Sequence, residues 1–210
     1  MARYTGAVCR LCRRQGEKLF LKGPRCNSPK CAVARRASVP GQHGQSKSKQ
    51  KISNYGLQLK EKQKLKRMYG VLEKQFRRYF QIASKSKGVT GRVLLQLLER
   101  RMDNVIFRLG LAVSHPQARQ VVRHNFVYVN SKRVNIPSYL VDKDDIIELK
   151  TKDKSLPKFK ENMELSNDRS VPAWLEFDPA QLKAKVLRLP EKEDTPGTIQ
   201  EQLIVELYSK

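Results

Sequence analysis

Leu98-Glu99-Arg100-Arg101-Met102-Asp103-Asn104-Val105-Ile106-Phe107-Arg108-Leu109-Gly110 is the stretch on which the reading of the fold turns. Met102, Val105, Ile106 and Leu109 recur at three- and four-residue intervals, which makes one apolar helical face, and Gly110 supplies the stop. Arg101, Asn104 and Arg108 line a different face of the same helix. Immediately downstream, Ser114 is placed to cap a second helix with Pro116 in its first turn. Ala118, Val121 and Val122 point inward from it, and Arg119 and Arg123 sit one turn apart. Residues 126–129 and 134–136 read as strands around a turn at 130–133, and 145–149 as a further strand. Asp142, Asp144 and Asp145 are explained as a strand-entry turn more simply than as a metal site. The segment is thus a compact αα-β unit, with Arg101, Arg108, Arg119 and Arg123 expected on one basic side.

Upstream, charge dominates. Of 43 Lys and Arg residues, 23 lie in the first 90 positions, opposed only by Glu17, Glu61 and Glu73, so that half carries +20 of the total +23. The remaining 120 positions hold 20 basic and 17 acidic residues. A well-solvated surface mixes both signs, whereas one sign concentrated in one half is a footprint aimed at a polyanion, because each cation that reaches a phosphate releases condensed counterions. Nucleic acid is therefore the expected partner. No apolar run approaches the length of a membrane span, the first residues carry no signal-peptide core, and the basic segments lack a broad interfacial Trp/Phe/Leu face. A cytoplasmic, non-membrane protein is expected.

Within the basic half, Leu65, Met68, Tyr69, Leu72, Phe76, Tyr79 and Phe80 recur at helical spacing with Lys and Arg between them, predicting an amphipathic helix with a basic outer face. Thr90 offers an N-cap to another helix carrying Val93, Leu94, Leu97 and Leu98. Residues 32–51 show no apolar period and read as a polar, basic linker that orders on binding. The candidate nucleic-acid contacts of this half are Arg3, Tyr4, Arg10, Arg13, Arg14, Lys22, Arg25, Arg35, Arg36, His43, Lys47, Lys49, Lys62, Lys66 and Arg77. To these the αα-β unit adds Arg101, Arg108, Arg119, Arg123, His124, Lys132 and Arg133.

All four cysteines fall near the N-terminus: Cys9 and Cys12 as C-x2-C, then Cys26 and Cys31 as C-x4-C. In a reducing compartment this is metal-ligand spacing, each short pair offering two thiolates to one tetrahedral ion. Zinc is the default, with an iron-sulfur cluster and no metal as the alternatives. Four thiolates close the site, so a zinc there is a staple and not a catalyst. Flanking Arg10, Arg13, Arg14, Arg25 and Lys30 are expected to lower the thiol pKa values. His43 reads as a loop residue, not a ligand.

The last 60 residues read as mixed strands and loops. Residues 174–177 and 184–189 are strand candidates, 190–197 a break, and Thr198 with Glu201 a possible capping box for a final helix striped by Ile199, Leu203 and Leu207.

The opening stretch, taken with Gln117-Ala118-Arg119-Gln120, His124, Val129-Asn130 and Lys132-Arg133-Val134-Asn135-Ile136-Pro137-Ser138-Tyr139, closely resembles the bacterial family of small-ribosomal-subunit protein four. The likeness extends upstream through Pro40-Gly41-Gln42-His43-Gly44, Tyr55-Gly56, Gln58-Leu59-Lys60-Glu61-Lys62-Gln63-Lys64 and Tyr69-Gly70-Val71-Leu72-Glu73-Lys74-Gln75-Phe76-Arg77, and the cysteines resemble the family's zinc-bearing version. It covers most of the first 150 residues and is loose over 151–194. The resemblance implies an α+β protein with an N-terminal zinc knuckle and basic arm (1–45). A discontinuous helical domain (46–98 with 196–210) follows, completed by the returning C-terminal helix. The third part is an α+β domain (99–195) containing the small αα-β RNA-binding module (about 100–165) and a mixed β extension. It also implies direct binding of 16S ribosomal RNA at a multi-helix junction early in small-subunit assembly. Contact with neighbouring ribosomal protein five, near the messenger RNA entry path and tied to decoding accuracy, follows from the same resemblance.

Where that family usually has Gly, this chain has Asn125, Ser131 and Asp144. Asn and Asp tolerate φ > 0 best among non-glycine residues, so two turns are expected to survive, while Ser131 leaves the hairpin turn type open. Two readings from other classes compete. The module also resembles an accessory domain of RNA-modifying enzymes, but the rest of the chain offers no acid/base or nucleophile constellation and no small-molecule site. A free stress-type RNA-binding regulator fits the module but not the cysteine and helical segments.

Overall fold

The computed structural model describes residues 3–45, 52–150, 156–166 and 169–209, so Lys47 and Lys49 lie outside the described residues. The chain falls into two units, Met1–Gly91 with Thr198–Lys210, and Arg92–Gly197.

In the first unit, α1 (Val8–Gln15), a 3-10 turn at Gly23–Cys26, α2 (Ala32–Arg35) and a 3-10 turn at Gln42–Gln45 precede α3 (Asn54–Met68) and α4 (Glu73–Lys85). Cys12, Leu19 and Leu21 form a small core against Val8, Leu11, Val33 and Met68. The apolar period running from Leu65 to Phe80 predicts one helix, but the structure has two. Gly70 adopts φ +62, which no helix interior permits, and Val71 N donates back to Lys66 O at 3.0 Å, closing α3 before Leu72 starts α4. Ser53 caps α3, its Oγ accepting from Gly56 N at 3.2 Å.

The final helix, α9 (Glu201–Tyr208), packs along α3. Thr198 does not cap it. The cap residue is Gln200, whose N–H donates to Glu61 Oε1 of α3 at 3.0 Å, while Lys64 Nζ donates to Thr198 O at 2.7 Å. Gln58 Nε2 donates to Glu206 Oε2 at 2.9 Å farther along. At the far end Glu73 accepts from Lys62 Nζ, Lys66 Nζ and Tyr208 Oη, each at 2.8 Å. The Tyr208 ring stacks on Phe80 with centroids 4.6 Å apart.

The second unit opens with α5 (Thr90–Glu99), α6 (Met102–Arg108) and α7 (His115–Arg123), followed by β1 (Val127–Val129), β2 (Lys132–Arg133), β3 (Ile146–Leu149), α8 (Leu156–Glu164), β4 (Leu175–Asp178) and β5 (Lys183–Val186). The antiparallel sheet has the order β2-β1-β3-β5-β4. Its inward residues Val127, Val129, Ile147, Leu149, Leu175, Ala184 and Val186 join Met102, Val105, Ile106, Leu109, Ala118, Val121, Val122, Phe159 and Trp174 in one core. The α6 and α7 faces match the periodicity. Ser114 is the N-cap position of α7, though its side chain makes no capping bond.

Three assignments change. Lys132 and Arg133, read as turn, form β2, because Asn130 (φ +47) and Ser131 (φ +64) make a two-residue turn with both central residues left-handed. That is the type I′ pattern, whose twist matches the flanking strands. Asn130 secures it, donating from Nδ2 to Asp145 Oδ1 at 2.7 Å and accepting from Ile146 N at 3.0 Å. Asn125 and Asp144 both sit at φ +65, the conformation expected of them. Helix α8 falls where only strands and loops were expected. A 3-10 turn at Lys192–Asp194 occupies the break, its Glu191 and Asp194 side chains forming the capping box that Thr198 does not. Among the described residues no helix is long and apolar enough to cross a membrane.

Candidate nucleic-acid interface

The arginines of the opening stretch divide by burial. Arg101 is fully buried, donating from Nε and Nη2 to Asp103 at 3.0 and 2.5 Å, and Arg119 Nη1 reaches the same carboxylate at 3.3 Å. Glu99, also fully buried, accepts from Arg108 Nε and Nη2 at 3.1 and 2.5 Å and from Asn104 Nδ2 at 2.6 Å. Asn104 Oδ1 lies 3.2 Å from His115 Nε2, whose ring stacks on Phe107. Burial, followed by the charges of Arg108, Arg101 and Arg169, holds His115 down to about 3, so it is neutral at physiological pH. Arg100 pairs with Asp142 and donates from Nε to Val141 O at 2.8 Å. Met102 N and Asp103 N donate to Tyr139 O and Pro137 O. The polar face of 98–110 is therefore an internal scaffold that pins the start of α6 to 137–142. Placing Arg101 and Arg119 on an open basic side does not hold in this geometry, because their guanidinium groups are enclosed and committed to Asp103. Arg108 is a quarter exposed and tied to Glu99.

Arg123 and His124, at the C-terminal turn of α7, and Lys132 and Arg133, on the edge strand β2, are exposed. His124 keeps a ring contact with Phe126. Exposed Lys143 and Lys150, not singled out by sequence, add charge to the same unit, and Lys150 Nζ sits 4.5 Å over the Tyr128 ring.

In the first unit Arg3, Tyr4, Arg10, Arg14, Lys22, Arg25, Arg35, Arg36, His43 and Arg77 are exposed. Arg13 is half-buried, its Nε donating to Ser38 O at 3.0 Å. Lys62 and Lys66 are consumed by Glu73, and Lys64 by Glu17 and Glu61. The cations of α3 thus hold the unit together, a distinction that composition does not make. Exposed Lys74, Arg78 and Lys85 on α4 were missed, although they lie opposite Phe76, Tyr79, Phe80 and Ala83 at helical spacing.

Cys9 and Cys12 lie one turn apart on α1, Cys26 ends its 3-10 turn, and Cys31 precedes α2. None is in a disulfide, and all but Cys9 are buried. Three sulfurs accept backbone N–H groups: Cys26 from Lys22 at 3.3 Å, Cys12 from Leu19, and Cys31 from Ala34 and Val33. The uniform lowering of thiol pKa expected from flanking cations is not seen. Burial pushes Cys12 up, and mutual repulsion with Cys26, Cys9 and Cys31 adds to it, whereas the Ala34 N–H, helped by Lys18 and Arg25, pulls Cys31 down. The four thiols thus lie near enough to sense one another. Among the described residues, no three His, Cys, Asp or Glu side chains are gathered closely enough to hold an ion.

The chain matches two family descriptions, the ribosomal protein S4/S9 N-terminal domain over residues 3–99 and the S4 domain over residues 100–147. It is 60% identical to small ribosomal subunit protein uS4 of Acetivibrio thermocellus, 57% to that of Pelotomaculum thermopropionicum and 58% to that of Dictyoglomus turgidum. Each comparison spans 210 residues and the whole of both chains.

Proposed function

The chain belongs to the family of small ribosomal subunit protein uS4, and from that membership we infer that its exposed, unpaired cations are its ribosomal RNA contacts. It is a structural constituent of the small subunit of the cytoplasmic ribosome, binds ribosomal RNA, and is not an enzyme. The observation that carries the site assignment is the division among cations. Those at Lys62, Lys64, Lys66, Arg101 and Arg119 are sequestered with carboxylates, whereas Arg10, Arg14, Arg25, Arg35, Arg123, Lys132 and Arg133 face solvent. Solvent-facing cations bring counterion release without first breaking a salt bridge. Such contacts position the protein on a folded RNA by shape and phosphate geometry, without a base code.

The RNA is 16S ribosomal RNA at a multi-helix junction, where binding nucleates small-subunit assembly. Unit 92–197 has a mixed-charge sheet face, on which Glu148, Lys183 and Asp178 alternate in register across β3, β5 and β4. This suits a protein neighbour, and the family resemblance points to protein five beside the messenger RNA entry path, with its influence on decoding accuracy.

Salt-series titration against the 5′ domain of 16S RNA, with unrelated structured RNA as competitor, tests the site map. Tight, competitor-resistant binding is expected at physiological salt. Arg123→Ala, Lys132→Ala and Arg133→Ala each flatten the salt slope by about one. Equal binding to both RNAs rejects a specific ribosomal RNA site, and unchanged slopes in all three variants reject the assignment in the second unit.

A structural zinc ion at Cys9, Cys12, Cys26 and Cys31 is part of the same proposal. The N–H groups aimed at three of the sulfurs, and the repulsion felt by Cys12, are what a four-thiolate site needs and what a cation relieves. Elemental analysis of purified protein is expected to return about one zinc per chain. Cys9→Ser with Cys26→Ser is expected to lose it and to speed hydrogen exchange in the N-terminal arm alone. Metal-free wild-type protein sinks the proposal, and melting of both units by the double variant rejects the arm as a separable element.

A further inference from the structure

One face of α4 remains unexplained by the packing of the first unit. Lys74, Arg77, Arg78, Gln81, Ile82 and Lys85 fall on a single solvent-facing stripe, all exposed, opposite the buried Phe76, Tyr79, Phe80 and Ala83. None of the four cations forms an ion pair among the described residues, in contrast to Lys62, Lys64 and Lys66 of the neighbouring α3. A helix face meant only for water carries both signs and little exposed apolar surface. This one carries a single sign, and its isoleucine is 42% exposed.

The order of side chains along the stripe narrows the ligand. Lys74 and Lys85 are eleven residues apart, about 16 Å along the axis. Gln81 lies near the midline, Ile82 on one flank, and the cations toward both ends. A single extended strand offers one line of phosphates and exposed bases, for which the matching surface is cationic with aromatic platforms, and this face has no aromatic residue. An A-form duplex instead presents a wide, shallow minor groove, bordered by two phosphate lines and floored by 2′-hydroxyls and base edges. Cations at the ends suit the two borders. An amide that both donates and accepts suits 2′-hydroxyls, and a methyl-bearing side chain suits the ribose walls.

We propose that α4 lies across the minor groove of a double-helical RNA segment, with Lys74, Arg77, Arg78 and Lys85 on the flanking phosphates and Gln81 and Ile82 over the groove. The contact is a second RNA attachment, carried by the helical unit and separate from that of the αα-β module, and it rests on the reading of the chain as a ribosomal RNA binder. Alanine at these exposed positions keeps or improves helix propensity and touches no core residue, so the variants are expected to fold.

The test uses the full chain and the 5′ domain of 16S RNA, combining a salt series with hydroxyl-radical footprinting of the riboses. The triple variant Lys74→Ala, Arg78→Ala, Lys85→Ala is expected to reduce the salt slope by about two to three and to lose ribose protection in one paired segment while the rest of the footprint stays. Gln81→Ala with Ile82→Ala is expected to weaken binding several-fold at unchanged slope. An unchanged footprint and slope in the triple variant overturns the proposal. So does loss of protection at unpaired nucleotides, or a double variant indistinguishable from wild type. Failure of the wild-type protein to bind this RNA is a different result, which rejects the underlying function instead.

Discussion

Asp103→Asn, although isosteric, is expected to destabilise unit 92–197 by about 3 to 5 kcal/mol. The carboxylate is 4% exposed and faces the fully buried Arg101 and the nearly buried Arg119. Asparagine keeps the shape and one acceptor oxygen but removes the negative charge that the enclosed Arg101 and Arg119 guanidinium groups share. Uncompensated buried charge costs far more than the original pair contributed in net stability, because the desolvation penalty remains after the attraction is gone. Arg101 has no route to water without separating 100–103 from 137–141, where Met102 N bonds Tyr139 O and Val141 N bonds Arg100 O. The protein's single tryptophan, Trp174, is fully buried in this unit, so its fluorescence during urea unfolding reports the transition selectively. The triple change Arg101→Met, Arg119→Met and Asp103→Leu removes all three charges together and is expected to recover much of the loss, as apolar replacement of buried ion pairs commonly permits. A loss below about 1 kcal/mol for Asp103→Asn would mean that this carboxylate is not what holds the two arginines inside, and would reopen their place on the candidate RNA surface.

That possibility shows where the sequence stops being legible. The apolar faces of α6 and α7 follow from spacing, since Met102, Val105, Ile106, Ala118, Val121 and Val122 meet one core at the periodicity any helix imposes. The class of ligand follows from charge, which is a property of composition. What does not follow is which cations are spent internally. Arg119 finds Asp103 sixteen residues earlier, and Lys62 finds Glu73 eleven residues later, through helix packing that no local pattern encodes. Helix α8 escaped because Phe159 and Asn162 are its buried residues, too few for a period. The split between α3 and α4 depends on one residue, Gly70, inside an otherwise unbroken stripe. In the hairpin, Ser131 conceals a left-handed position that glycine would have advertised.

Glu73→Gln is expected to loosen α9 by about 1 to 2 kcal/mol near neutral pH, and the loss is expected to vanish in acid. Burial alone raises the Glu73 pKa, but hydrogen bonds from Lys62, Lys66 and Tyr208 outweigh it and bring the carboxyl down to about 2. A depressed folded-state pKa means that the stabilisation is fully present above the unfolded value of 4.5 and disappears as pH falls toward 2. Nearly half of the Glu73 side chain is exposed, so solvent screening keeps the energy well below what the shift alone implies. Lys62 is only 9% exposed and loses its counterion in the variant, which sustains the effect. Tyr208 moves with it. Burial first, then its bond to Glu73, raises its hydroxyl pKa, so that hydroxyl stays a donor throughout and the pH dependence belongs to the carboxylate. Protection of the α9 amides against hydrogen exchange reads the opening directly. Wild type and variant are expected to differ at pH 6, to draw together as pH falls from 4.5, and to converge only near pH 2. A constant difference at all pH values would assign the effect to the shape of the glutamine amide, and no difference at pH 6 would show that α9 is held by the stacking of Tyr208 on Phe80 without help from the carboxylate.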